Sequence, residues 1–354
     1  MFKNTSEIKR LQIDHTSRCN LGCPQCARMW DNGKSINPAM PITDLTIDDY
    51  KILLEPFREN KLDSIYHCGN FGDVIASPTF DETYEYSLDF TNHVKIATNG
   101  SARTTAWWKD LAQKGGNKNL ISFALDGLSD TNHLYRVGSN FDKILNNAKA
   151  YIDAGGRAEW IFIEFEHNYH QIDTARQMAK DYGFEKFIVK YTARFADQKK
   201  TSIETKKGNE VKDRESNPNQ KDMKEIEQTY SSFDEYIQKT EIVCKFRENL
   251  KMFIDMEMKL WPCCWFGAPS YLQHKNPQTE SFNHFFKLYG KDFNDMRIHG
   301  WDVLNHPFFQ EYLEKSWNSP DDTFKRIHTC GRTCGNKFEF SSGYGKNINR
   351  EALK

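Results

Sequence analysis

Cys19, Cys23 and Cys26 stand at CxxxCxxC spacing, directly after the strand-like run Leu11-Gln12-Ile13-Asp14. Three thiolates on one short loop can ligate three irons of a cubane [4Fe–4S] cluster, leaving the fourth iron without a protein ligand. An open coordination position is what separates a catalytic metal centre from a closed structural one. Zinc would need a fourth Cys or His nearby. His15 is the local candidate, and the spacing is unlike that of common zinc fingers. Five more cysteines fall late in the chain: Cys244, the pair Cys263-Cys264 after Trp261-Pro262, then Cys330 and Cys334. A four-thiolate zinc site is one reading of that set. Cys68, the ninth, precedes Gly69-Asn70-Phe71-Gly72-Asp73. A small buried apolar residue is its ordinary role; substrate contact or a radical-relay thiol is the catalytic alternative. Glycines in such a segment let backbone approach a ligand closely.

The elements that position these residues are legible as alternation. Leu11 to Ile13, Ser64 to Tyr66, Val94 to Ala97, Leu120 to Leu125, Trp160 to Ile163 and Lys186 to Val189 read as strands. Between them Thr46 to Glu59, Phe141 to Ala154 and Gln171 to Tyr182 carry helical periodicity, the last stopped by Gly183. Strand–helix alternation implies a parallel sheet with helices outside it. Six units suit a partial (β/α)6 TIM-like barrel, an α/β fold, over residues 1–196. Residues 197–240 are rich in Lys, Glu, Asp and Asn and read as a charged, solvated linker or insertion. Residues 241–354 form a second region with aromatics, a β-like run at Leu250 to Met258 and the five late cysteines.

The whole composition narrows the partners. A chain of 354 residues holds two domains, or one with an appendage, at about 150 residues each. With 48 basic and 49 acidic residues it has no bulk attraction to nucleic acid or anionic lipid. Its first residues show no apolar signal-peptide core, and no run approaches the roughly 20 apolar residues of a membrane span. A cytoplasmic, reducing setting is therefore expected, where disulfides are rare and clustered cysteines need another purpose.

At this point the chain resembles the radical S-adenosylmethionine (SAM) superfamily over residues 10 to about 190. The motifs occur in the family's order, each at the C-terminal end of an expected strand, the edge where barrel enzymes hold their sites. Gly69, Asn70, Gly72 and Asp73 resemble the Gly-Gly-Glu-Pro segment that holds the SAM amino group, with Asp73 for Glu and Val74 for Pro. Asn99, Ser122 and Arg136 are similar to ribose- and carboxylate-binding positions, and Asn168 to a further polar one. Arginine suits a bidentate grip on the SAM carboxylate. Gln25 stands where the family commonly has an aromatic residue beside adenine; its backbone can still bind the base.

The late cysteines resemble the C-terminal SPASM or twitch extension, which carries auxiliary iron–sulfur clusters. A full SPASM region carries more cysteines for two clusters. Five imply a single auxiliary [4Fe–4S] cluster on Cys244, Cys263, Cys330 and Cys334, with Cys264 as the alternative ligand and zinc the rival metal. The resemblance implies reductive cleavage of SAM to a 5′-deoxyadenosyl radical that abstracts a hydrogen atom from the substrate. Family likeness points to a peptide or protein side chain, with the auxiliary cluster taking part in oxidation or crosslinking. A small molecule such as an aminosugar alcohol, or a nucleotide, is the second substrate class. A non-catalytic iron–sulfur or zinc protein is the reading of another kind. A flavodoxin or ferredoxin-like electron donor is implied by resemblance.

Overall fold

A computed structural model of the chain describes residues 1–197, 200–271, 277–336 and 348–353. Six strands appear where the apolar runs predict them: β1 (Arg10–Ile13), β2 (Ser64–His67), β3 (Val94–Thr98), β4 (Asn119–Ala124), β5 (Arg157–Ile163) and β6 (Lys186–Lys190). They pair in parallel and in sequence order. Three later strands extend the same sheet: β7 (Lys251–Ile254), β8 (Leu260–Trp261) and β9 (Ile348–Ala352). The nine-stranded order is β8-β7-β1-β2-β3-β4-β5-β6-β9, antiparallel only at its two outer pairs. This is the mixed α/β, partial-barrel architecture expected from the alternation.

Because strand side chains alternate, one face of each strand is apolar and the other polar. Ile65, Ile96, Ile121, Phe123, Trp160, Phe162 and Phe187 are buried in the cores on the helical side. Gln12, Tyr66, Lys95, Ser122 and Glu159 occupy the alternate positions and face the barrel interior. The apolar side is covered by α1 (Ile47–Leu54), α2 (Phe80–Ser87), α3 (Thr105–Gly115), α4 (Phe141–Asp153) and α5 (Ile172–Asp181). Their starts follow from sequence. Thr46 and Asp49 form a capping box, and Thr104 and Asn140 cap α3 and α4 through their side chains. Gly183 ends the turn after α5 at φ +85°, a conformation that favours glycine. Trp160 is fully buried and donates its indole N–H to Leu125 O at 2.9 Å. Trp160→Ala is expected to cost about 3–5 kcal/mol, measured as a drop in the urea midpoint.

The sheet runs across the division expected at residue 241. β7 pairs with β1 from Arg10↔Lys251 to Ile13↔Ile254, and one hydrophobic core joins Leu11, Ile13 and Ile65 to Phe253, Trp261, Phe285 and Phe308. The physical reason is the open edge of β1, which β7 satisfies while its aromatic followers bury their area. The charged segment also differs from a bare linker. Ser202–Glu204 pairs with Glu210–Lys212, and helices span Pro218–Thr229 and Phe233–Lys239. Few apolar residues suffice because Met223, Ile226, Tyr236 and Ile237 share one small core with Ala193. Gln198 and Lys199, where this segment begins, lie outside the described residues. No helix of the described residues is long and apolar enough to cross a membrane.

Candidate active site

The loop after β1 carries Cys19, Cys23 and Cys26, all partly buried and in no disulfide. Burial pushes the Cys19 thiol up to about 12, reinforced by Asp73, Cys23 and Cys26. Burial also raises Cys23, to about 11, although the Arg136 guanidinium opposes it. Cys19 Sγ accepts the Leu21 N–H at 3.4 Å and lies 3.7 Å from Asn99 Nδ2. Asn99 also bonds Asn20 Oδ1 at 3.1 Å, and Asn20 donates to Ser101 Oγ at 2.8 Å. The ends of β1 and β3 are thereby tied to one another beside the first cysteine.

Arg136, on the turn after Asn132–Tyr135, joins this group from β4. Its Nε donates to Asp126 Oδ2 at 2.6 Å, and Asp126 is fully buried. Burial works against the guanidinium's charge, but Asp126 and then Cys23 outweigh it and raise its pKa. Gln25, between Cys23 and Cys26, has both amide atoms buried and without a hydrogen-bond partner. Buried polar atoms without partners are rare and call for an explanation such as a ligand.

The glycine segment is built against the cysteine loop. A Cβ on Gly72 would stand 2.2 Å from Thr16 O and 2.7 Å from Arg18 O, so only glycine lets the two backbones meet. Asp73 N–H donates to Arg18 O at 2.7 Å. The Asp73 carboxylate is itself engaged: it accepts Thr98 Oγ1 at 3.0 Å and Asn99 N–H at 2.7 Å. Burial raises its pKa against those bonds. Gly69 lies across the same turn, its Cβ position 2.9 Å from Gly72 O.

Three of the expected residues spend polar atoms within the protein. Ser122 lies within β4 and gives its hydroxyl to Glu159 at 2.6 Å; Glu159 also takes Lys95 Nζ at 2.5 Å. Asn168 is fully buried and spends its amide on backbone, donating to Asp126 O and Ile163 O at 2.9 Å and accepting Phe165 N–H at 2.7 Å. It braces the loop after β5. Asn70 donates its N–H to Asp14 at 3.0 Å and its amide to Cys68 Sγ at 3.4 Å.

The late cysteines divide. Cys330 and Cys334 are one turn apart on the helix His328–Cys334. Val243 N–H donates to Cys334 O at 2.9 Å, which places the Cys244 loop beside that helix. Burial and then the neighbouring thiols Cys264, Cys334, Cys330 and Cys244 push Cys263 up. Burial, Cys334 and Cys244 do the same to Cys330. Cys264, next in sequence, is raised by burial and by Asp14 and is lowered by Lys251, on the barrel side. Among the described residues no three His, Cys, Asp or Glu side chains are drawn to metal-ligating distance.

Sequence reasoning passed over Asp14, Asn20, Lys95, Asp126, Glu159 and Arg194, the last within electrostatic reach of Cys26. Asp126, in Leu125-Asp126-Gly127 at a strand end, carried the same positional cue as Asn99. Glu159 carried another: a carboxylate inside an apolar strand.

No family model matches the chain. It is 26% identical over 199 residues to the tungsten-containing aldehyde ferredoxin oxidoreductase cofactor-modifying protein of Pyrococcus furiosus, covering 51% of each protein. It is 29% identical over 146 residues to 7,8-dihydro-6-hydroxymethylpterin dimethyltransferase of Methanocaldococcus jannaschii, covering 39% of this chain and 27% of that protein. The match thus spans about half the length of the first relative and about a quarter of the second. Among solved structures, SuiB of Streptococcus suis bound to its precursor peptide SuiA superposes with a TM-score of 0.53 at 14% identity, over 92% of this chain and 72% of that one. The anSMEcpe structure with bound AdoMet and the Cp18Cys peptide gives 0.51 at 15% identity, over 92% and 88%. These neighbours are radical SAM enzymes, and the chain shares their fold.

Proposed function

We propose that this chain is a radical SAM enzyme that removes a hydrogen atom from a peptide or protein side chain. The observation that carries the reading is the convergence of Cys19 and Cys23, Asn99 and Arg136 with the orphaned amide of Gln25 at the C-terminal edge of the sheet. Their donor set fits the implied groups: three thiols for iron, a guanidinium for a carboxylate and an unbonded amide for a base. A [4Fe–4S] cluster and SAM, when bound there, supply reductive sulfur–carbon cleavage and the hydrogen abstraction that follows.

The chain's own residues do the positioning. Arg136, positioned by its pairing with Asp126, would hold the SAM carboxylate. Gln25 would present its amide to adenine, and the Gly69–Gly72 turn would offer carbonyls to the amino group. Asp73 ties that turn to the end of β3 by accepting the Thr98 hydroxyl and the Asn99 N–H. Cys244, Cys263, Cys330 and Cys334 would hold an auxiliary [4Fe–4S] cluster, while Cys264, beside Cys263, also lies toward Asp14 and Lys251 on the barrel side. A peptide substrate is supported by the SuiB and anSMEcpe structures, both of which hold peptides. The curated relatives' names, a cofactor-modifying protein and a pterin dimethyltransferase, favour a small molecule as the second reading.

Anaerobic iron and sulfide analysis with EPR tests both metal assignments. Wild type is expected to hold about eight irons, and the Cys19→Ala/Cys23→Ala/Cys26→Ala variant about four, with 5′-deoxyadenosine formed by wild type alone. Cys263→Ala should likewise lose about four irons, whereas Cys264→Ala keeps them. Four irons plus one zinc would remove the auxiliary cluster. Fully loaded, reduced protein that cleaves no SAM, alone or with a peptide pool, would sink the enzymatic reading. Stimulation by small-molecule extracts and not by peptides would transfer the substrate to the second class.

A further inference from the structure

The strand positions that point away from the helices bring several cations into the barrel interior. Phe187 and Val189 of β6 are buried in the apolar core, so Lys190, at the C-terminal end of that strand, turns to the opposite face. It is half-buried there. Lys95 of β3, Glu159 of β5, Arg350 of β9 and Asp126 after β4 all lie within its electrostatic reach. Lys251 of β7 stands further along the same interior, in reach of Arg10 and Lys95. Both carboxylates near Lys190 are committed to other groups. Asp126 holds Arg136 at 2.6 Å, and Glu159 takes Lys95 at 2.5 Å and the Ser122 hydroxyl at 2.6 Å. Lys190 itself makes no ion pair and no side-chain hydrogen bond among the described residues.

An ammonium group held out of water beside other cations is unfavourable until a counter-charge arrives. Its place in the fold says where that charge would come from. Lys190 O accepts the Glu164 N–H at 2.9 Å, just past the end of β5, so the side chain stands at the C-terminal mouth of the barrel. That edge also carries the cysteine loop and Arg136, and it is where barrel enzymes hold their substrates. We propose that Lys190, backed by Lys95, binds an anionic group of the substrate, a carboxylate or a phosphate, inside the barrel mouth. As a substrate subsite this rests on the radical SAM reading, and it narrows the substrate to a negatively charged molecule. Lysine suits the task, because a compact ammonium with three rotatable donors accepts either anion. Lys95 contributes by position: Glu159 fixes its ammonium, and its charge repels Lys190 and favours an anion between them. Arg350 adds to the same field from β9. Burial and then Lys95 lower the Lys190 pKa to about 8, with Glu159 opposing and Arg350 assisting. Near neutrality the group is therefore still a cation, and one without a partner.

Calorimetric titration of anaerobically reconstituted protein, saturated with SAM so that Arg136 is occupied, decides the matter. The probes are inorganic phosphate, succinate, and a synthetic glutamate-bearing peptide beside its glutamine counterpart. At least one anion should bind wild type roughly tenfold more tightly than Lys190→Met, the loss of one hydrogen bond to a charged group. Lys190→Arg should stay close to wild type. Preference for phosphate assigns a phosphorylated small molecule, and preference for succinate a small carboxylate. Binding of the glutamate peptide but not the glutamine one assigns an acidic peptide. Equal affinities in wild type and Lys190→Met, or no binding of any probe to wild type, would overturn the proposal. Melting without anion gives a second readout. A lysine whose folded pKa is lowered from 10.5 to about 8 binds fewer protons folded than unfolded between those values. Wild type should therefore gain stability relative to Lys190→Met as pH rises from 8 to 10. A difference that does not move with pH would show an ordinary solvated lysine and count against the site. Wild type that cleaves no SAM would refute the underlying reading, leaving the titration to judge the anion site.

Discussion

Gly72→Ala abolishes SAM cleavage and lowers iron content in the expected result, because only glycine lets the turn proposed to hold SAM meet the segment that leads into the cysteine loop. The added methyl would stand 2.2 Å from Thr16 O, 2.7 Å from Arg18 O and 2.9 Å from Ser17 C. All three are backbone atoms of the strand-to-loop segment that leads into Cys19, so no side-chain rotation relieves the clash. The two segments must separate, breaking the Asp73 N–H to Arg18 O bond of 2.7 Å. The loss should exceed the roughly 1–3 kcal/mol of ordinary overpacking, because the neighbours are not free to move. Gly69→Ala is the comparison: its close neighbour is Gly72 O at 2.9 Å, within the same turn. It should retain more iron. Urea unfolding and iron analysis of the two variants side by side check the claim; equal iron in Gly72→Ala and wild type would defeat it.

Arg136→Met combines a stability loss with a functional one. Asp126 is fully buried, and Arg136 is its charged partner at 2.6 Å. Its other oxygen accepts Ile163 N–H at 2.7 Å, so it cannot swing away without breaking the β4–β5 connection. Removing one partner of a buried pair leaves an uncompensated charge and costs about 3–5 kcal/mol. The variant should unfold at clearly lower urea and fail to bind SAM. Arg136→Lys separates the two effects. A lysine can restore charge to Asp126 but has no planar fork for a carboxylate. It should recover most of the stability while leaving SAM affinity depressed. Recovery of both would show that charge alone, not the guanidinium, serves the site.

Much of the fold was readable because its cues are local. Alternating apolar runs, the helical periodicity of Thr46 to Glu59, Phe141 to Ala154 and Gln171 to Tyr182, and Gly183 as a stop each act within a few residues. They reappear as β1 to β6, α1, α4, α5 and the turn after it. The cysteine spacing is likewise local and states which donors share a loop. The partners of those donors were less legible. Ser122 and Asn168 occupy strand-end motifs by sequence, yet their polar atoms are taken by Glu159 and by backbone. Glu159 and Lys95 sit in apolar runs, and their pairing follows from the order β3-β4-β5, which places them on one face.

The sequence by itself determined the parallel α/β alternation, the thiol triplet at a strand end and the set of late cysteines. Each rests on periodicity or spacing along the chain. Tertiary structure alone decided that β7 returns some 240 residues later in sequence to pair with β1, as Arg10↔Lys251 to Ile13↔Ile254. It decided that Cys264, while still beside Cys263, also comes within electrostatic reach of Asp14 and Lys251. It also decided that Asp14 meets Cys68 and Asn70 with one oxygen and no partner with the other. Such contacts join segments distant in sequence. They are chosen by sheet closure and burial of a shared core, quantities that no local pattern encodes.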